Sequence, residues 1–115
     1  METKLTLIVR SDLGMGRGKI AAQASHAAVA AVLANLRSRD FRAWLGDGQP
    51  KVVLKAASEE QLFELAEKAS AAGLPVQVIS DAGRTQVEAG TPTCCAIGPA
   101  EASRIDAITG ELSLL

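Results

Sequence analysis

The hydrophobic period of this 115-residue chain changes several times, and each change marks an element. Residues 4–10 alternate and then run apolar (Leu5, Leu7, Ile8, Val9), the pattern of a strand buried on at least one face. Gly14, Gly16 and Gly18 punctuate the loop after it. Residues 19–37 read as a long helix. Alanine stands at 21, 22, 24, 27, 28, 30 and 31, which implies close packing on a sheet, and Val29, Val32, Leu33 and Leu36 fall on one stripe that is expected to be buried. Residues 40–48 read as a short helix or turn whose Phe41, Trp44 and Leu45 plug a sheet edge. A second strand spans Lys51–Ala56. Ser58 and Gln61 make a capping box for a helix through Leu62, Leu65, Ala66 and Ala69, which Gly73 ends and Pro75 keeps from resuming. Residues 76–80 and 93–97 are the third and fourth strands. Gly98-Pro99 is expected to start a last helix, Gly110 to close it, and Leu112, Leu114 and Leu115 to dock the tail on the core.

Strands alternating with helices predict a mainly parallel sheet, and the passage from Ser80 to Thr93 without a helix predicts one antiparallel neighbour. The expected fold is α/β: one domain over residues 1–115, a mixed four-stranded β-sheet with helices on both faces.

Composition narrows the function classes. No apolar run approaches the roughly 20 residues of a membrane-spanning helix, and the start of the chain lacks a secretory pattern, so a cytoplasmic protein is expected. Cys94 and Cys95 are adjacent in a strand and point to opposite faces, which suits buried thiols and neither a disulfide framework nor a metal clasp. Residues 1–55 carry nine Lys/Arg against four Asp/Glu, and residues 56–115 carry three against nine. A basic half attracts phosphate only if the fold keeps it apart from the acidic half.

Two segments carry candidate chemistry. The first is Gly14-Met15-Gly16-Arg17-Gly18-Lys19, between a strand and a helix, where backbone amides and a helix N-terminus favour anions. It matches neither a dinucleotide fingerprint nor a P-loop, since Lys19 and Ile20 stand where those motifs need Gly and Ser/Thr. Lys19, Gln23 and His26 follow at i, i+4 and i+7 on one helix face; His26 reads as a hydrogen-bonded structural residue and Ser25 as a packing hydroxyl. The second is Asp81-Ala82-Gly83-Arg84-Thr85-Gln86, after the third strand, at the carboxyl end where open α/β sheets bind ligands. Lys19, Asp81, Thr85 and Thr93 converging there would position water and polarise an ester carbonyl, whereas Asp81 and Gly83 alone would only shape a turn.

The ordered series Arg10-Ser11-Asp12-Leu13, Gly14-Met15-Gly16-Arg17-Gly18-Lys19, Ala22-Gln23-Ala24-Ser25-His26-Ala27, Gly48-Gln49-Pro50-Lys51-Val52-Val53, Asp81-Ala82-Gly83-Arg84-Thr85-Gln86 and Ile97-Gly98-Pro99 resembles the archaeal and eukaryotic type of peptidyl-tRNA hydrolase over nearly the whole chain. The resemblance implies a mixed four-stranded sheet, hydrolysis of peptidyl-tRNA without metal or other cofactor, and catalysis at Lys19, Asp81, Thr85 and Thr93. Gly16, Arg17, Gly18, Gln23, His26 and Arg84 are the expected substrate and tRNA contacts, and a homodimer is expected. Cys94-Cys95-Ala96 departs from the family's usual aliphatic residues and glycine, a difference of packing. Two other readings fit the residues: an RNA- or protein-binding module using the same basic loop, and an esterase for small acyl esters. Lys4, Arg10, Arg17, Lys19, Lys51 and Arg84 are more cations than a small neutral ester needs, and Phe41, Trp44 and Phe63, the only aromatics, suit the core better than base stacking.

Overall fold

The computed structural model describes residues 2–83 and 87–115. Its sheet has the order β2-β1-β4-β3, with β1 Thr3–Arg10, β2 Lys51–Ala56, β3 Val76–Ser80 and β4 Pro92–Glu101. β1 runs parallel to β2 and antiparallel to β4, which in turn runs antiparallel to β3. The three mutually parallel strands therefore end at one edge of the sheet, beside the start of β4. Helices α1 (Arg17–Ala34) and α2 (Arg39–Gly46) cover one face; α3 (Glu59–Ala71) and α4 (Ala102–Thr109) cover the other.

The two-residue alternation of the strands divides the interior in two. Leu5, Leu7, Val9, Ile79, Cys94 and Ala96 meet Ala27, Ala31, Phe41 and Trp44 on the first face. Ile8, Cys95, Ile97 and Ala100 meet Leu62, Leu65, Ala69 and Ile105 on the second. The adjacent cysteines thus sit in different cores, free and buried. Desolvation raises their thiols to about 11 at Cys94 and about 12 at Cys95.

Of the expected stripe on α1 only Val32 packs against the first core, half-buried. Val29, Leu33 and Leu36 are 57%, 65% and 53% exposed, whereas Gln23, Ala27 and Ala31 are buried. The alanine face allows the helix axis to approach the sheet closely, so the bulkier residues are turned outward. Two aromatic-cluster expectations fail in the same manner: Leu45 and Phe63 are exposed, while Phe41 and Trp44 are buried and the Trp44 indole donates to the Pro50 carbonyl at 2.8 Å.

The caps are as read. The Ser58 hydroxyl accepts from the Gln61 amide at 3.0 Å, and the Gln61 side chain accepts from the Ala57 amide at 2.6 Å, one residue before the usual partner. After α3, the Gly73 and Leu74 amides donate to the Ser70 and Ala69 carbonyls, a Schellman ending with Gly73 at φ +79°.

Gly98-Pro99 does not start a helix; it lies inside β4, and α4 begins at Ala102. The pair occupies a bulge, because Lys4 faces Ala100 and Thr6 faces Ile97, leaving two residues opposite Leu5. Proline, lacking an N–H, is tolerated there. Glycine is required at 98, where φ is +111° and a Cβ would lie 2.8 Å from the Lys4 carbonyl oxygen. In the tail, Leu112 packs on the second core, but Leu114 and Leu115 are exposed; their backbone borders β2 instead, with Lys55 N–H donating to Ser113 and Leu115 N–H to Val53.

Among the described residues, the Thr6 hydroxyl is the one buried side-chain polar atom with no hydrogen-bond partner. Thr6→Val removes this desolvated group at nearly constant volume and is expected to raise stability by about 1 kcal/mol, or roughly 4 °C in Tm, read by thermal denaturation. With thiols raised to about 11 and about 12, neither cysteine is expected to react with a thiol reagent in native protein at pH 8, and both should react once it is unfolded.

Candidate active site at the carboxyl edge of the sheet

The loop after β1 is anchored by Met15, buried in the first core, before α1 opens with Gly16 as its N-cap in extended backbone (φ −69°, ψ 166°). Arg17 and Gly18 are exposed at this helix start, where amides lacking carbonyl partners face solvent. Lys19 lies one turn in, at the border of the buried face. Its ammonium donates to Asp81 Oδ1, and the two side chains are only 8% and 2% exposed.

Asp81 follows the last residue of β3. Its second oxygen, Oδ2, accepts from the Gly83 amide at 2.7 Å, its backbone N–H donates to the Thr91 carbonyl at 2.8 Å, and its own carbonyl accepts from Gly90 N–H at 2.8 Å. The loop ends are thereby clasped, with the carboxylate held between an ammonium and a backbone amide. Gly83 at φ +81° leaves no room for a side chain, since a Cβ would come 2.7 Å from the Ala89 Cβ.

A second bulge delivers Thr93. Ile79 faces Cys94 while Ser80 faces Pro92, so Thr93 is the extra residue. The bulge turns Thr93 to the same side of the sheet as Cys94. There its hydroxyl bonds Gln23 Oε1, with the Ile79 carbonyl a second acceptor at 3.3 Å, and Cys94 Sγ lies 3.2 Å from the Gln23 carbonyl. Gln23, one turn after Lys19, is buried with it. The polar face read as Lys19, Gln23 and His26 is therefore divided: the first two turn inward, and His26 lies exposed just beyond the border, not in the hydrogen-bonded core role expected of it. Ser25 is exposed too. Arg84 and Thr85 lie outside the described residues.

Arg10, counted in the sequence among cations for RNA, is buried instead. Nε and Nη2 donate to the two Asp12 oxygens at 3.1 and 2.7 Å, and Nη1 donates to the Pro92 carbonyl at 3.0 Å, with Glu59 3.8 Å away. One planar guanidinium thus ties the loop leading to Lys19 to the strand start carrying Thr93. An arginine ending a buried strand two residues before an aspartate was the available signal. The hydrogen bond from Arg10 holds the Asp12 carboxyl below its ordinary 3.8, against a smaller opposing effect of desolvation.

The arrangement provides a carboxylate and an ammonium, both shielded from bulk water, beside a helix N-terminus. Their shielding strengthens the field each presents to a reacting group. Among the described residues, no three His, Cys, Asp or Glu side chains gather as metal ligands.

A family model described as Peptidyl-tRNA hydrolase PTH2 matches residues 3–115. The chain is also similar to proteins named peptidyl-tRNA hydrolase. That of Metallosphaera sedula is 53% identical, with 97% of this chain and 99% of the relative covered. That of Sulfurisphaera tokodaii is 50% identical across 100% of both, and that of Halobacterium salinarum 52% identical across 96% and 98%.

The Arg10–Asp12 bond gives a pH prediction. Asp12 has a lowered folded-state pKa, so its stabilising contribution is complete above 3.8 and is lost as pH falls through the folded value. Asp12→Asn is expected to lower stability at pH 7 and to make the acid-side decline below about pH 4 shallower, measured by urea denaturation across that range.

Proposed function

The chain belongs to the peptidyl-tRNA hydrolase PTH2 family, and from that premise we propose that it hydrolyses the peptide–tRNA ester at the carboxyl edge of its sheet, through Lys19, Asp81, Thr85 and Thr93. The observation carrying this reading is the buried Lys19–Asp81 pair beside the start of α1. An ester to a ribose hydroxyl has a better leaving group than an amide, so positioning and charge stabilisation supply most of what is needed.

In this mechanism Asp81 orients a water whose oxygen attacks the ester carbonyl carbon. Asp81 is held by Lys19 and the Gly83 amide, and its main contribution is geometric. Negative charge grows on the carbonyl oxygen as the tetrahedral intermediate forms, and a Lys19 N–H not used by Asp81 stabilises it. The bond to the ribose oxygen then breaks, that oxygen takes one proton of the attacking water, and a free tRNA hydroxyl and a peptide carboxylic acid result, the acid releasing its remaining proton to solvent to become a carboxylate. Thr93, fully buried, acts through Gln23 and holds α1 against the start of β4; Thr85 orients the water or carbonyl. Gly16, Arg17 and Gly18 present the helix start to the terminal phosphates, with His26 at the margin, and Arg84 is a further proposed tRNA contact.

The proposal extends to metal-independent turnover in the cytoplasm and to a homodimer. No described helix is long and apolar enough to cross a membrane; sedimentation of the purified chain tests the dimer.

Turnover of N-acetylaminoacyl-tRNA is expected to persist in EDTA and to fall at least about 100-fold in Lys19→Ala and Asp81→Asn. Full activity of Asp81→Asn would overturn its assignment. Each single neutralisation leaves a buried charge and is expected to cost about 3 kcal/mol of stability, whereas Lys19→Met with Asp81→Asn should recover much of that loss and remain inactive. Comparing melting curves with turnover separates the two effects.

A further inference from the structure

We propose that Arg37, Arg39 and Arg42 form a phosphate-binding site for the double-stranded stem of the tRNA substrate, remote from the ester. This inference rests on the hydrolase reading and adds a second point of contact to it.

Among the described residues some cations are engaged and others exposed without an ion pair: Lys51 bonds the Gln49 carbonyl and lies over Trp44, whereas Arg17 on α1 and Lys55 on β2 are exposed, as are three arginines that lie close together in sequence. Lys4 is paired with Asp106, Arg10 with Asp12, Lys19 with Asp81 and Lys68 with Glu64, while Arg104 bonds the Ala72 carbonyl. Arg37, Arg39 and Arg42 are exposed, and among the described residues none of them forms an ion pair; the one bond in the group, Arg42 Nη1 to the Arg37 carbonyl at 3.1 Å, braces the turn between α1 and α2. Phe41 and Trp44 face the core, which turns Arg39 and Arg42, three residues apart, to the solvent side of α2.

The surroundings select the path of a polyanion. α1 contains no acidic residue over its 18 positions, so nothing along it repels phosphate. On the opposite face of the sheet, α3 presents Glu59, Glu60, Glu64 and Glu67. A tRNA whose 3′ end is at Lys19 thus finds one accommodating face, and at about 1.5 Å per residue α1 spans about 22 Å from Lys19 to its end at Ala34, beyond which the turn and α2 carry the arginines. The single-stranded 3′ end is short, so a tRNA reaching that far presents duplex backbone. Guanidinium forks suit phosphate oxygens, and contact with an RNA duplex through its backbone is insensitive to sequence, as an enzyme serving many tRNAs requires.

The test compares the unaltered chain with Arg37→Ser/Arg39→Ser/Arg42→Ser on two substrates, N-acetylaminoacyl-tRNA and an N-acetylaminoacyl-CCA oligonucleotide without a duplex, with binding of deacylated tRNA measured in parallel. For the full tRNA, kcat/KM is expected to fall on the order of tenfold at moderate salt, through KM. Its log–log salt slope should become shallower by about 2–3, with a matching loss of tRNA affinity. Cleavage of the oligonucleotide should be unchanged. Equal loss on both substrates, or unchanged tRNA affinity, would overturn the inference; the latter would leave the arginines to an acidic protein partner or to solvent. If the unaltered chain cleaves neither substrate, the hydrolase reading fails, and tRNA affinity still decides the role of the arginines.

Discussion

Ala27 and Ala31 bring α1 against the sheet, and the placement of the polar residues at the carboxyl edge depends on that closeness. With larger residues in their place, the helix axis would stand further off. Lys19 would then be drawn away from Asp81, and Gln23 from Thr93. These bonds join residues 62 and 70 positions apart, so they are bought with chain entropy that only well-fitted packing offsets. The same closeness leaves Val29, Leu33 and Leu36 outside, since around Ala27 and Ala31 the inward side of α1 has room only for small side chains.

At that edge two irregularities of the sheet matter as much as its regular pairing. The bulge at Thr93 turns a hydroxyl towards α1, and the Arg10 guanidinium ties the adjacent Pro92 carbonyl to the loop before α1. The buried Lys19–Asp81 pair is costly in desolvation, and a hydrophobic pair of similar size would often be no less stable. In the proposed hydrolysis the pair has a chemical use, since a fixed ammonium and carboxylate need little reorganisation when charge develops on an ester oxygen.

The sheet also separates charge. α1, α2 and the turn between them carry Arg17, Arg37, Arg39 and Arg42, with Asp40 among them, on one side, and α3 carries its glutamates on the other. A near-neutral chain is thereby polarised between the two faces of its sheet, a distribution that would orient a polyanion before any specific contact formed.

Much of this was determined by the sequence alone. Strand alternation, the Ser58 and Gly73 helix signals, the antiparallel passage after Ser80, and the ordered motifs from Arg10 to Pro99 depend on near neighbours along the chain, and all are readable without coordinates. The charge asymmetry of the two halves was readable as well, but its segregation onto two faces was not. Tertiary structure alone decided which side of α1 is buried, because alanines nearly all round a helix leave its bulky residues as a misleading guide. It alone showed that Gly98-Pro99 bridges a bulge inside β4, that Arg10 is a brace and not a surface cation, and that His26 faces water while Gln23 does not. Each of these depends on how closely distant segments approach one another, a distance that neither periodicity nor composition encodes.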